Sequence, residues 1–106
     1  MKLYYSHDES TYGTPQEDSD LNMMGTLGIN VSNPNSPDVQ ERIRILKECG
    51  RENEIPGFIG ELIDRCDGVI FRTLDDGTIP AQVQADIKWA QDSNKGVLQL
   101  PTLENE

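Results

Sequence analysis

The sequence predicts an α/β fold: a small flavodoxin-like, Rossmann-like three-layer sandwich around a parallel four-stranded sheet. Three observations predict it. Short β-rich runs alternate with helical patterns along the chain, which implies parallel strands joined by helices. Gly68 to Phe71 (GVIF) is apolar throughout, as expected of a strand covered on both faces. Proline-led helix starts and Asn/Gly stops punctuate the chain at matching intervals. Right-handed crossovers leave few arrangements, and strand order 2-1-3-4 is the expected one.

Lys2 to Ser6 (KLYYS) is β-rich and opens the sheet. Thr14-Pro15-Gln16-Glu17 starts the first helix: Thr14 caps, Pro15 suits the first helical position, and Glu17 completes a capping box. That helix runs through Leu21 and Met24 and stops near Gly25 or Gly28. Ile29 to Ser32 is the second strand, broken by Asn33-Pro34, because the residue before proline is pushed out of the helical region. Ser36-Pro37 starts the next helix, with Asp38 and Glu41 near its positive end and Val39, Ile43 and Leu46 on one face. Gly50 ends it. Pro56 to Arg65 follows as a helix whose apolar face is Phe58, Ile59, Leu62 and Ile63. After the GVIF strand, Pro80 to Gln91 is the last helix, with Val83, Ile87 and Ala90 inward. Asn94-Lys95-Gly96 closes it, Val97 to Leu100 is the final strand, and Thr102 to Glu106 is expected to fray.

At 106 residues the chain reads as one domain, 1–106. Folding should bury roughly 65% of the unfolded surface, enough for a core without staples. No run approaches a signal peptide or a membrane span, so the expectation is a soluble, cytoplasmic protein. Nine Lys and Arg against nineteen Asp and Glu, a net charge of −10, argue against nucleic acid and against anionic membranes as partners. Cys49 and Cys66 are the only cysteines and are expected as reduced structural thiols. No Cys/His spacing suggests zinc, so no metal is expected. The glycine-rich phosphate loops of dinucleotide and P-loop proteins are missing, and no cofactor is expected.

Function should gather at the carboxyl ends of the strands, where ligands bind in open parallel sheets. The switch point falls between strands one and three, so the loops after Ser6 and Phe71 should flank the crevice. Tyr4, Ser6 and His7 are ligand-contact candidates there. Alternation sends Tyr4 and Ser6 to one face and Tyr5 to the other. Asn33 ends strand two, where a turn is a sufficient explanation; as a ligand candidate its side chain can present a donor and an acceptor. Arg72, Asp76 and Gly77, after strand three, are further ligand candidates; Asp75-Asp76-Gly77 is also a turn signal. Asp67 precedes an apolar strand, where a carboxylate needs a partner. Asp86, between Val83 and Ile87, sits at the edge of the last helix's inner face and is the sharpest candidate.

Taken together, YYSH after strand one, SNP after strand two, CDGVIF at strand three, DDGTIPAQVQADIKWA into the last helix and the closing KGVLQL resemble the nucleoside 2-deoxyribosyltransferase-like family. The resemblance covers nearly the whole chain. It implies a compact flavodoxin-like domain acting on nucleosides or nucleotides as an N-glycosyl transferase or hydrolase. It implies Asp86 as the nucleophile, in the place of a family glutamate four residues before an alanine, here Ala90. Asp67 then resembles the acid that handles the base's proton. Tyr5, or else Tyr4, is similar to the tyrosine that positions the nucleophile. The carboxylate would form a covalent glycosyl intermediate, as in retaining glycosidases. The chain departs from the family in holding Asp, one methylene shorter, and in carrying Gln82 and Gln84 where a close approach favours glycine. The family commonly builds sites across subunits, so a homo-oligomer is the implied state; an acidic small domain is equally compatible with a monomer.

Three functions follow from these residues. The first is a protein that binds a nucleoside or nucleotide, such as a nucleotide-derived signal, with little catalysis. The second is an active N-glycosidic enzyme using Asp86. The third is an acidic module that docks a basic protein.

Overall fold

A computed structural model describes residues 1–101; the expected frayed tail lies outside the described residues. The elements are β1 (Lys2–Ser6), α1 (Pro15–Thr26), β2 (Asn30–Ser32), α2 (Pro37–Glu48), α3 (Ile55–Asp64), β3 (Gly68–Phe71), α4 (Ala81–Asp92) and β4 (Gly96–Gln99). The sheet is parallel, in the expected order β2-β1-β3-β4. Single 3-10 turns at Glu9–Thr11 and Glu52–Glu54 were not foreseen.

Strand parity builds the layers. Tyr4 and Val69 face one way, onto Val39, Ile59, Ile63 and Ala90. Leu3, Tyr5 and Ile70 face the other way, onto Met24. So α2, α3 and α4 share one face and α1 covers the opposite one. Right-handed crossovers require this: the path from β1 out to β2 runs opposite to the paths from β2 to β3 and β3 to β4. Among the described residues no helix is long and apolar enough to cross a membrane.

The helix starts follow their caps. Thr14 Oγ1 accepts from the Glu17 N–H at 3.4 Å, with Pro15 next in line. Ser36 Oγ does the same for the Val39 N–H at 3.4 Å. Glu17 does not close the expected capping box. Its carboxylate turns away to the Gly13 N–H at 3.2 Å, to the buried His7 and to Asn35, while the Thr14 N–H bonds Thr11 O. The inner face of α4 also differs from expectation. Val83, Asp86 and Ala90 are buried while Ile87 is only half-buried. Positions 83, 86 and 90 form a regular helical stripe, so the carboxylate rides on the core side rather than at its edge. Cys66 is buried as expected, but Cys49 is exposed at the end of α2; both are free thiols.

Two glycines are required by close approach. A Cβ on Gly68 would lie 2.6 Å from the carbonyl oxygen of Gly96 in the neighbouring strand. Backbone cannot yield there without breaking the β3–β4 ladder. Gly68→Ala is therefore expected to destabilise by about 1–3 kcal/mol, read as a lowered Tm. Gly60 is the control. Its Cβ would lie 2.3 Å from the Trp89 ring, but that ring is 38% exposed and swinging it outward gives up only its exposed Nε1 bond to Asp64, so Gly60→Ala should cost less. Equal costs would contradict this account.

Candidate functional site

A cavity of about 620 Å³ opens at the carboxyl edge of the sheet, on the face covered by α2, α3 and α4. Helical periodicity makes its walls. Gln40, Ile43 and Lys47 form one stripe of α2; Ile55 and Ile59 come from α3; Gln82 and Asp86 come from α4. Tyr4, His7, Asp8, Glu9, Tyr12 and Pro34 close the sheet end. The Gln40 side chain ties this rim together by donating to the Pro34 carbonyl at 2.8 Å. A recess of about 190 Å³, walled by Ile63, Ala85, Trp89 and other apolar groups, adjoins the cavity and also reaches Asp86.

Asp86 is the centre of this site. It is 5% exposed, and its carboxylate accepts from the Ser6 hydroxyl at 2.6 Å. Burial pushes its carboxyl up to about 6, and the Ser6 hydrogen bond pulls the other way. Tyr4, beneath the cavity, is pushed well above the ordinary phenol value by burial and then by the nearby Asp86 charge. Tyr12 is pushed up by burial and by Glu9, Asp86, Glu17 and Asp8 in that order. Asp86 is thus a buried carboxylate with one hydroxyl partner, set between a largely polar cavity and a mainly apolar recess, the kind of place where functional acids occur.

The other predicted residues sort by strand face and by sheet edge. Tyr5 lies on the α1 face, fully buried, donating to Asp20 at 2.5 Å. It is therefore on the wrong side of the sheet to position Asp86, and Tyr4 holds the cavity side. Asp67 lies at the opposite edge from the cavity. It precedes β3, and in a parallel sheet every strand starts at that far edge; its carboxylate accepts the Lys2 N–H at 2.8 Å. Arg72 does not border the main cavity: its Nε and Nη2 bond Asp20, at 2.7 and 2.6 Å, on the α1 face, and it lines a smaller recess between the loops after β1 and β3. His7 lines the cavity with both nitrogens engaged: Nδ1 is 3.0 Å from the Tyr5 carbonyl and Nε2 is 2.7 Å from Glu17. Its ring is buried as well, stacked on Tyr5 at 3.8 Å and against Tyr12 at 4.7 Å, so it shapes the cavity wall and offers a ligand neither a nitrogen nor a ring face. Burial pushes Glu17 up, but bonds from His7, Asn35 and the Gly13 N–H prevail and hold it below the usual range.

Asn33 caps its own turn, accepting the Asn35 N–H at 2.9 Å, and leaves the rim to Pro34. Asp76 likewise caps the Thr78 N–H at 2.9 Å, and Gly77 supplies the positive φ of 85° that the turn requires. That loop does not border the main cavity. It borders a smaller recess of about 270 Å³ between the loops after β1 and β3, where the switch point was expected. The larger space sits on the α2–α4 side because α1 packs on the other face. Asp8, Glu9, Tyr12, Gln40 and Lys47 were missed; the helical spacing of Gln40, Ile43 and Lys47 was the signal for the last two, and the loop position after β1 the signal for the first three. Among the described residues no group of three or more His, Cys, Asp or Glu could hold a metal ion.

By fold the chain is a flavodoxin-like α/β domain with a deep cavity at its carboxyl edge. Comparison with protein-family models, curated proteins and solved structures finds no match.

Proposed function

We propose that the cavity takes a nucleoside or nucleotide and that Asp86 attacks its anomeric carbon, making the protein an N-glycosidic enzyme. The observation that carries this reading is the buried Asp86 carboxylate facing a cavity of about 620 Å³. That volume lies within the range of small-molecule sites and accommodates a sugar with its base. The roles divide by position. Asp86 is the nucleophile, and its ordinary state at neutral pH is the reactive anion, since its carboxyl titrates at about 6. Ser6 orients the carboxylate through the 2.6 Å hydrogen bond. Tyr12 presents its half-buried ring and phenol group to the sugar or base, and the buried Tyr4 backs the cavity wall. The resemblance of YYSH and of ADIKWA to the deoxyribosyltransferase-like family supports the same assignment.

The test is a panel of nucleosides and nucleotides, scored by thermal shift and by chromatography of each stabilising ligand. Saturation at about 100 times the dissociation constant should stabilise by about 2.7 kcal/mol. Release of free base supports the enzyme. A shift with every ligand recovered intact reduces the protein to a binding module. No shift with any member of the panel overturns both readings and leaves the acidic surface, docking a basic protein, as the one to pursue.

A further inference from the structure

Resting on that reading, we infer that the substrate is an N-glycoside of a cationic, pyridinium-type base, which leaves the sugar as a neutral molecule without being protonated. Two independent features of the cavity point this way.

The first is charge. The carboxylates bordering the cavity are Asp8, Glu9 and Asp86, against the Lys47 ammonium and the His7 ring, whose two nitrogens face the Tyr5 carbonyl and Glu17, a carboxylate outside the cavity lining that offsets it. Lys47 stands seven residues beyond Gln40, about 10 Å further along α2, at the end remote from the sheet. The sheet end is thus acidic, and it also holds the half-buried ring of Tyr12, with Tyr4 and His7 buried behind it. Acid groups and an aromatic ring around one space attract a flat cation both by its charge and through its ring. Burial first, and then the charges of Glu9, Asp86, Glu17 and Asp8, push the Tyr12 phenol upward.

The second is the poverty of proton donors. A neutral purine or pyrimidine departs easily only when an acid protonates it. Asp67, the acid implied for that task, lies at the opposite edge of the sheet. Bonds from the Ser10 hydroxyl and N–H hold the Asp8 carboxyl low, so it stays charged. Tyr4 and Tyr12 are pushed upward and give up protons less readily than a free phenol. Glu9 stands exposed on the rim turn. Asp86 is committed as the nucleophile.

A pyridinium glycoside needs none of these acids. An Asp86 oxygen forms a bond to the anomeric carbon as the bond from that carbon to the ring nitrogen breaks. The electron pair of the broken bond returns to the nitrogen, cancels its positive charge and leaves a neutral pyridine. Water then adds to the anomeric carbon, the glycosyl–Asp86 ester bond breaks with its electrons returning to the carboxylate, and the water's proton passes to bulk solvent. Before the reaction the substrate's charge also favours the ionised form of Asp86, the form that attacks.

The experiment compares nicotinamide riboside with its reduced 1,4-dihydro form, which has nearly the same shape and no charge. Affinities are measured by titration calorimetry at pH 7.5 and at two salt concentrations, and free nicotinamide is measured by chromatography. The cation should bind roughly tenfold more tightly, by charge and ring contacts together. The ratio should shrink with added salt and in an Asp8→Asn/Glu9→Gln variant; the salt titration on the unaltered protein stands alone if that variant folds poorly. Nicotinamide should appear with the unaltered protein and not with Asp86→Asn. Equal or tighter binding of the neutral form overturns the inference. So does release of base from adenosine or uridine at rates the pyridinium riboside does not match, and in that case the N-glycosidic reading stands. Neither binding nor cleavage of any of these compounds overturns both.

Discussion

Replacing Asp20 by alanine is expected to destabilise the protein by about 3–5 kcal/mol, the cost of leaving a buried charge without its partner. Asp20 is 2% exposed and gathers four donors on the α1 face: the Tyr5 hydroxyl, Arg72 Nε, Arg72 Nη2 and the Gln16 side-chain amide. Alanine would strand the Arg72 guanidinium with only the Pro101 carbonyl, at 2.9 Å, and would leave the buried Tyr5 hydroxyl unbonded. A domain of this size has about 5–15 kcal/mol of total stability, so the variant should be near the edge of folding. Urea titration followed by circular dichroism measures the change. The double variant Asp20→Leu/Arg72→Met should be less harmed than Asp20→Ala alone, since it removes both charges and keeps volume. A loss below about 1 kcal/mol for Asp20→Ala would show that water reaches Arg72 and that the network is not the clamp described.

That network also explains where reading the sequence stopped. The sheet was legible because β1 and β3 are apolar runs with obvious borders, and the helices because Thr14-Pro15 and Ser36-Pro37 announce their own starts. Strand parity correctly put Tyr4 with Ser6 and Tyr5 opposite. Pairings across the fold were not legible. Nothing local to Arg72 says that Asp20, fifty-two residues away, will occupy its guanidinium. Nothing local to Asp67 says which end of a parallel strand faces the cavity; that follows only from the direction of β3 in the assembled sheet. Asp86 was found by its place beside Val83, but its depth was underestimated, because a helix one residue out of phase reads almost the same in sequence while moving the carboxylate from rim to core. The cavity itself was invisible, since it is the gap left where three helices diverge and belongs to no single segment.

Asp86→Asn is expected to part stability from chemistry. Asparagine keeps the size and can still accept the Ser6 hydroxyl bond, but it cannot ionise or attack. Base release should fall by a factor on the order of 10³ or more, as for loss of a catalytic nucleophile, while ligand affinity changes far less. Stability should move the other way. The Asp86 carboxyl is raised from 3.8 to about 6, so the folded protein holds a proton that the unfolded chain releases between those values. The stabilisation from protonated Asp86 is thus complete below about pH 4 and is lost as pH rises through 6. The span corresponds to roughly 3 kcal/mol, the price of keeping an anion in that pocket at neutral pH. Asn carries no such penalty. The variant should match the unaltered protein near pH 4 and exceed it increasingly up to pH 7, measured as paired Tm curves. Glu17 works with the opposite sign at lower pH: its carboxyl is held below 4.5, so its contribution fades only as pH falls through that depressed value, equally in both proteins. On the proposed N-glycosidic reading, kcat/KM of the unaltered protein should rise with pH around a midpoint of about 6 as Asp86 ionises. If Asp86→Asn is instead less stable than the parent at pH 7, the carboxylate is gripped by partners beyond Ser6 and serves the fold. If it is more stable and inert, this domain gives up stability at the position where a buried anion does its work, as reactive sites commonly do.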